Sequence, residues 1–296
     1  MPEKVAPDTR RRVEEAIQAL DFVPSRAARG LITGRTGNIA VIVPDITNPH
    51  LAAIVRSVER SARQSDLQVL LVDTGEHPDE EARAAASLSR DVDAFIVVSP
   101  RRLHRSLDVL GDTPAVFVNR PVPEHASVLL RTASAVGDAF AHLSGLGHSR
   151  LAYLGGPSGS WAAGERRSAV RRSGPPNGME VLELVVDEPT FEAAVGTVRE
   201  IVASGVSAVL AFNDQMALGV VAGLSELGVR VPRDISVIGV DDVPMAAMVA
   251  PPLTTIGLPT EEVGAAAMAM LDGGPSKKEL FGDLILRHST ATARAR

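Results

Sequence analysis

The side chains best placed for chemistry stand at the ends of apolar runs. The run SAVLAFN (207–213) delivers Asn213 and then Asp214, and ISVIGVD (235–241) delivers Asp241. An amide offers donors and acceptors together and a carboxylate offers strong acceptors, so such groups at strand ends suit the hydroxyls of a small ligand. Asn213-Asp214 has an equal second reading as the N-cap of the following helix, and the two roles are compatible. Turnover chemistry finds less support. The seven histidines (50, 77, 104, 125, 142, 148 and 288) are scattered, with no pair at metal-ligand spacing. There are no cysteines, so thiolate ligands and thiol nucleophiles are excluded. Gly155-Gly156-Pro157-Ser158-Gly159 follows a strand as a phosphate loop does, but it lacks the Lys-Ser/Thr pair that such a loop needs. Asp241 and Asp242 are adjacent, and adjacent carboxylates rarely converge on one bond. The pattern reads as a binding site: no enzyme, no metal and no cofactor are expected.

The elements that must position these groups are legible from periodicity. Apolar runs recur at 38–44, 67–73, 93–99, 115–119, 150–156, 179–186, 207–213 and 235–241. They are short, rich in Val, Ile and Leu, and nearly continuous, as in parallel strands covered on both faces. Between them lie helix-length stretches with apolar residues three and four apart, such as Leu51, Ile54, Val55 and Val58. Pro49 stands where a first-turn proline is tolerated, and Asp79, Glu80 and Glu81 crowd the start of the next helix, where the dipole favours acids. Strand and helix in strict alternation imply an α/β fold of βαβ units. Four units precede Gly145-Leu146-Gly147 and about four follow, which predicts two similar doubly wound lobes. A ligand cleft is expected between them, at the carboxyl ends of the strands.

Composition sets the outer bounds. With 296 residues, 45% of them hydrophobic, the chain has material for about two domains with a large core. No apolar run approaches the roughly 20 residues of a membrane span, and the first residues lack the apolar region of a secretory signal. A cytoplasmic protein without a membrane partner is expected. The net charge is −6, but residues 1–35 carry seven Lys/Arg against five Asp/Glu, a net +2 that leaves −8 elsewhere. Ser25–Arg35 has three arginines and no acid, so any contact with nucleic-acid phosphates belongs there. Within this part, PDTRRRVEEAIQAL reads as a capped helix with Val13, Ile17 and Leu20 on one face. SRAARGLITG reads as a second, short helix that its central glycine leaves marginal by itself.

These segments resemble the lac repressor (LacI/GalR) family over essentially the whole chain. The resemblance rests on VAPDTRRRVEEAIQALDFVPSRAARGLITGRTGNIAVIVPDITNPH at the start, then VDAFIVVSP (92–100), VNRPV (118–122) and LSGLGHSRLAYLGGP (143–157). AVLAFNDQMALG (208–219), GVRVPRDISVIGVDD (228–242) and PPLTTI (251–256) complete it in the family's order. It implies two doubly wound parallel-sheet lobes of the periplasmic-binding-protein type, with a short helical remnant at residues 1–35. The core then spans 36–296, with a first lobe of about 36–146 plus 259–285 and a second of about 147–256 plus the C-terminal end.

The resemblance also implies roles. Arg166 matches the family's ligand-binding arginine, whose planar fork holds two hydroxyls or a carboxylate. Asn48 lies in the loop where the family approaches its ligand, with Asn213 and Asp241 across the cleft. Phe191 and Trp161 are candidates for an apolar wall, although Phe191 reads more naturally as core. Arg131 and Thr132 replace the polar pair usual there. If Arg131 faces the cleft, an acidic or phosphorylated effector fits; if it faces away, a neutral sugar or nucleoside does.

In the family, paired hinge helices enter the minor groove of DNA and a leucine wedges a base step. Leu31 falls on that position, Ala27 and Ala28 permit close approach, and Arg26, Arg29 and Arg35 meet phosphates. Met1 falls just past the family's recognition helix. DNA binding is therefore expected to be weakened or lost without the helix-turn-helix, unless the true start lies upstream, the reading that the retained hinge segment favours. The function implied is a dimeric, ligand-responsive transcription regulator, a repressor, taking a sugar or related metabolite. The alternative is a solute-receptor-type binding protein that does not contact DNA.

Overall fold

The computed structural model describes residues 6–20, 34–101 and 103–294. Helix α1 (Pro7–Ala19) comes first and has a proline at its first turn and no buried residue. The expected hinge residues Arg26, Ala27, Arg29 and Leu31 lie outside the described residues.

The first lobe runs β1 (Asn38–Val43), α2 (Pro49–Gln64), β2 (Gln68–Asp73), α3 (Pro78–Leu88), β3 (Ala94–Val98), α4 (Leu103–Leu110), β4 (Ala115–Val118) and β5 (Ala126–Arg131). The chain then makes α5 (Ala133–Gly145), β6 (Arg150–Gly155), α6 (Trp161–Ser173), β7 (Glu180–Val185), α7 (Phe191–Ser204), β8 (Ala208–Ala211), α8 (Asp214–Glu226), β9 (Ser236–Asp241), α9 (Pro244–Met248) and β10 (Thr254–Gly257). Helix α10 (Val263–Leu271) and strands β11 (Lys277–Phe281) and β12 (Asp283–Ile285) close it. Two six-stranded sheets result, ordered β11-β5-β4-β3-β1-β2 and β12-β10-β9-β8-β6-β7. Among the described residues, every pairing is parallel except β10 with β12. The doubly wound, two-lobed fold is the one that the apolar runs imply.

Alternate residues of each central strand feed opposite layers. In β1, Ile39, Val41 and Val43 pack toward Leu51, Ile54 and Val58 of α2, whereas Ala40 and Ile42 join Phe95, Val97 and Phe117 under α3. Each such side chain, taken fully from water, contributes roughly 1.5–3 kcal/mol, which is why both faces must be apolar. The second lobe repeats the scheme, with Val209, Ala211 and Val237 against Val198, Ile201, Met216 and Val220 of α7 and α8.

The lobe boundaries differ from the expected ones. Helix α5 was expected to end the first lobe at residue 146, but it packs on α6 and β12 of the second. Its His142 ring meets the Thr290 hydroxyl at 3.0 Å, and Ser144 Oγ donates to the Asn177 carbonyl at 3.1 Å. Likewise β12, placed by the expected boundary in the first lobe, pairs with β10 in the second sheet. Three strand ends therefore mark the crossings, after Arg131, after Gly257 and between Phe281 and Asp283, where the Gly282 N–H donates to the Arg131 carbonyl at 2.9 Å. The sequence misleads because an α5 of mostly small apolar residues fits either lobe equally well, and only the packing partner decides.

Candidate functional site

The strand ends from both sheets converge on one narrow interlobe cleft, whose lining includes Asn48, Arg166, Asn213 and Asp241. The structure thus brings together four of the five residues expected to bind an effector. Phe191 is not among them. It heads α7, is 39% exposed and lines neither the cleft nor the core, so both expectations for it are corrected. The aromatic residue at the cleft is Phe212, which the sequence reading passed over because it lies inside a strand-like run.

Arg166 is carried by α6, whose start is fixed by Ser160: its hydroxyl accepts from the Ala163 N–H at 3.3 Å. The Arg166 guanidinium lies over the Phe212 ring at 4.6 Å, donates to the Phe212 carbonyl at 2.7 Å and approaches Asp241 Oδ1 at 3.5 Å. It is only 5% exposed. A buried guanidinium needs an anion and several acceptors, and this one has a ring face and a carbonyl as well as the carboxylate. Asp241 ends β9 with φ 116°, followed by Asp242 at φ 56°. Non-glycine residues held there are strained by about 1–3 kcal/mol each, and such strain clusters at ligand sites. Burial pushes the Asp241 carboxyl up to about 7, against the pull of Arg166.

Two of the expected ligand groups do structural work. Asn213 Oδ1 accepts from the Met216 N–H at 2.8 Å as the N-cap of α8, and its Nδ2 donates to the Pro189 carbonyl at 3.2 Å. Asn48 Oδ1 accepts from the His50 N–H at 3.0 Å as the N-cap of α2. Both line the cleft while holding its walls in place. Asp214, read from sequence as a possible ligand clamp, points away into the second sheet. It accepts from the Val243 N–H at 2.9 Å and from the Thr255 hydroxyl at 2.6 Å, tying α8 to β10 and to the turn after β9.

Burial and the neighbouring Asp241 push Asp214 up to about 8. A carboxyl whose folded-state pKa is raised disfavours the folded state increasingly as pH climbs from its unfolded value toward the folded one. Stability should therefore decline between about pH 4 and pH 8 on account of Asp214. Asp214→Asn, which carries no charge, should flatten that decline, read as melting temperature against pH. An identical slope in the variant would show that Asp214 is ionised at no cost.

Arg131 is settled by its partners. It pairs with Glu165 at 3.6 Å and Glu279 at 3.4 Å and lies 5.6 Å from the Trp161 ring centre, while the Thr132 hydroxyl donates to Glu165 at 2.8 Å. The contacts with Glu165 and Trp161 run between β5 and α6 and join the two lobes, whereas Glu279 lies on β11, next to β5 in the same sheet; none of these groups lines the cleft. The expectation that would bring an anionic effector, Arg131 turned inward, does not hold. Sequence reasoning also missed His50 and Arg101. Arg101 lines the cleft and forks onto Glu76 at 2.7 and 2.8 Å. His50 lines it from the first lobe, with Nδ1 3.6 Å from Asp241 Oδ1. Its place after Asn48-Pro49, in the first turn of a helix that opens at a strand end, was the available signal.

Residues 140–290 match the family described as a periplasmic binding protein-like domain. The chain is 34% identical over 286 residues to the HTH-type transcriptional regulator CelR of Thermobifida fusca, covering 91% of this chain and 84% of that one. A LacI family transcriptional regulator from Arthrobacter sp. FB24, solved in complex with lactose, is 30% identical with a TM-score of 0.75, over 86% of this chain and 99% of that one. The lac repressor dimer bound to operator and the anti-inducer ONPF superposes with a TM-score of 0.87 over 97% of this chain and 91% of that one, and at 24% identity shares the fold. With a two-lobed core, a buried arginine–carboxylate pair where the lobes meet and relatives of this closeness along nearly its whole length, the chain belongs to the lac repressor family of transcription regulators.

Proposed function

We propose that the chain is a ligand-responsive repressor that takes a small sugar-like effector between its lobes and relays that binding to DNA. The observation that carries this reading is the Arg166–Asp241 pair, buried at the cleft and contributed by helix α6 and the end of strand β9 in the second lobe. A planar fork beside a carboxylate presents donors and acceptors side by side, the pattern that matches adjacent hydroxyls. The lactose complex of the Arthrobacter relative supports a sugar as the ligand class. Asn48 and Asn213 frame the site from either lobe.

In this reading the protein is a cytoplasmic homodimer, is not an enzyme, and, when a helix-turn-helix headpiece precedes it, meets DNA through the Ser25–Gly34 segment with Arg26, Arg29 and Leu31; without that headpiece its DNA binding is weak or lost. Among the described residues, no helix is long and apolar enough to cross a membrane. Coupling between the sites must be reciprocal: a sugar that loosens the DNA complex binds that complex less tightly itself.

A gel-shift titration with the DNA preceding the chain's own coding sequence tests the coupling, run at low salt because phosphate contacts weaken steeply as salt rises. A sugar that binds the cleft should change DNA affinity by roughly 5- to 150-fold, the usual range of such coupling. DNA affinity that stays the same at saturating sugar would refute it.

A further inference from the structure

Three buried polar groups meet at the floor of the cleft without completing a hydrogen-bond set. His50 reaches in from the first lobe, and Asp241 and Arg166 come from the second. The His50 Nδ1 to Asp241 Oδ1 distance is 3.6 Å and the Arg166 Nη2 to Asp241 Oδ1 distance is 3.5 Å, both longer than a good hydrogen bond. His50 Nδ1 and Arg166 Nε have no hydrogen-bond partner among the described residues, although His50 is only 6% exposed. Buried polar atoms left in this way cost stability, and in native proteins they mark a place where another group belongs. One ligand hydroxyl placed beside the pair, within hydrogen-bond distance of both groups, serves both: its oxygen accepts from Nδ1–H and its own O–H donates to Asp241. Burial, with Arg166 nearby, holds His50 at about 3, so the ring is neutral near pH 7 and acts as a hydrogen-bonding group rather than a cation.

The charge around the cleft selects among ligands. Its mouth is lined by Asp45, Glu76, Asp187 and Glu188. The two described arginines at the site each face a carboxylate already, Arg101 that of Glu76 and Arg166 that of Asp241. Arg131, the third candidate, is held by Glu165 and Glu279 outside. An incoming phosphate or carboxylate therefore meets net negative charge in a partly desolvated space, where repulsion is strongly felt.

Building on the effector reading above, we propose that His50 is the specificity-determining residue of the cleft. It donates to a hydroxyl of an uncharged, polyhydroxylated ligand that bridges the first lobe to Asp241, and anionic ligands are rejected.

The test is calorimetry on the intact chain with ribose, lactose, cellobiose, ribose 5-phosphate and galacturonate. The wild type should bind at least one uncharged sugar and bind neither anion as tightly. For that sugar, His50→Phe, which fills the space without a donor, should weaken affinity roughly tenfold, and His50→Gln should recover part of the loss. Equal affinity in His50→Phe, tighter binding of an anion, or no binding of any uncharged sugar at millimolar concentration overturns the proposal. Arg166→Ala separates the two ideas. If it loses binding while His50→Phe keeps it, the cleft remains the effector site and only the role of His50 falls. If Arg166→Ala also binds normally, the effector reading itself falls.

Discussion

Arg166→Ala is expected to abolish effector binding while both lobes remain folded. The guanidinium holds three things at once: the Phe212 carbonyl, the Phe212 ring and the Asp241 carboxylate. Truncation removes the fork that a sugar diol would meet and leaves Asp241 buried beside Asp214 without a cation. Breaking a buried pair by removing one partner costs about 3–5 kcal/mol when the remaining charge stays ionised. Here Asp241 has an escape, because burial already pushes it up to about 7 and losing Arg166 drives it higher. It takes up a proton near neutral pH, so the stability loss should lie toward the lower end of that range while binding falls by roughly 100-fold or more. Arg166→Lys keeps the charge but not the planar pair of donors, and should recover stability better than affinity. Calorimetry with a sugar that the wild type binds, paired with thermal melts, checks both parts. An unchanged dissociation constant in Arg166→Ala would falsify the assignment.

The second large effect concerns a glycine far from any polar chemistry. Gly264 opens α10 where that helix crosses α2, and a Cβ built on it falls 2.0 Å from the Ser57 carbonyl oxygen and 2.6 Å from the Val58 nitrogen. These are backbone atoms of another helix, so no side-chain rotation relieves the clash. The contact is also bonded, since the Gly264 N–H donates to Ser57 Oγ at 3.0 Å and Ser57 is buried. Gly264→Ala must push the helices apart, opening the layer built by Ile54, Val58, Val263 and Ala267. Overpacking of this kind costs about 1–3 kcal/mol, and more where backbone is the obstacle. A loss of about 3 kcal/mol lowers the melting temperature by roughly 6–12 °C in a protein of this size. Gly196→Ala is the control: it lies exposed on α7, nothing stands within 4 Å of its Cβ, and the change should be neutral or stabilising by up to about 1 kcal/mol. A melting temperature for Gly264→Ala within a degree or two of wild type would show that the α2–α10 crossing yields easily.

The packing at Gly264 also bears on the cleft. Helix α2 carries Asn48 as its cap and His50 in its first turn, so whatever shifts α2 shifts the first lobe's contribution to the site. Effector affinity should therefore weaken in Gly264→Ala even though the residue touches nothing in the cleft. Arg131, by contrast, joins the lobes from outside the cleft through Glu165 of α6, while Glu279 of β11 holds it within its own sheet.

Much of this molecule was written in one dimension. Runs such as NIAVIV and AFIVV, buried at nearly every position, follow from burying a parallel sheet on both faces, so their order alone gave two doubly wound lobes. The strand-end rule then placed Asn213 and Asp241 beside a cleft, and a motif placed Arg166 there. The polar, short strands β10, β11 and β12 were harder to read, since Lys277-Lys278-Glu279 shows no apolar alternation and is a strand only because β5 offers it an edge.

What the sequence could not decide was direction and partnership, because these depend on groups far apart in the chain. Adjacent residues Asn213 and Asp214 point to opposite sides of the strand end, one lining the cleft and the other bonded to Thr255. Arg131 had two readings until Glu165 and Glu279 claimed it. His50 meets Asp241, 191 residues away in the chain, only because the fold brings the two lobes together. Periodicity is a local property and survives in the sequence, whereas the field and the hydrogen-bond partners felt by a buried polar group are set by whatever the fold carries up to it.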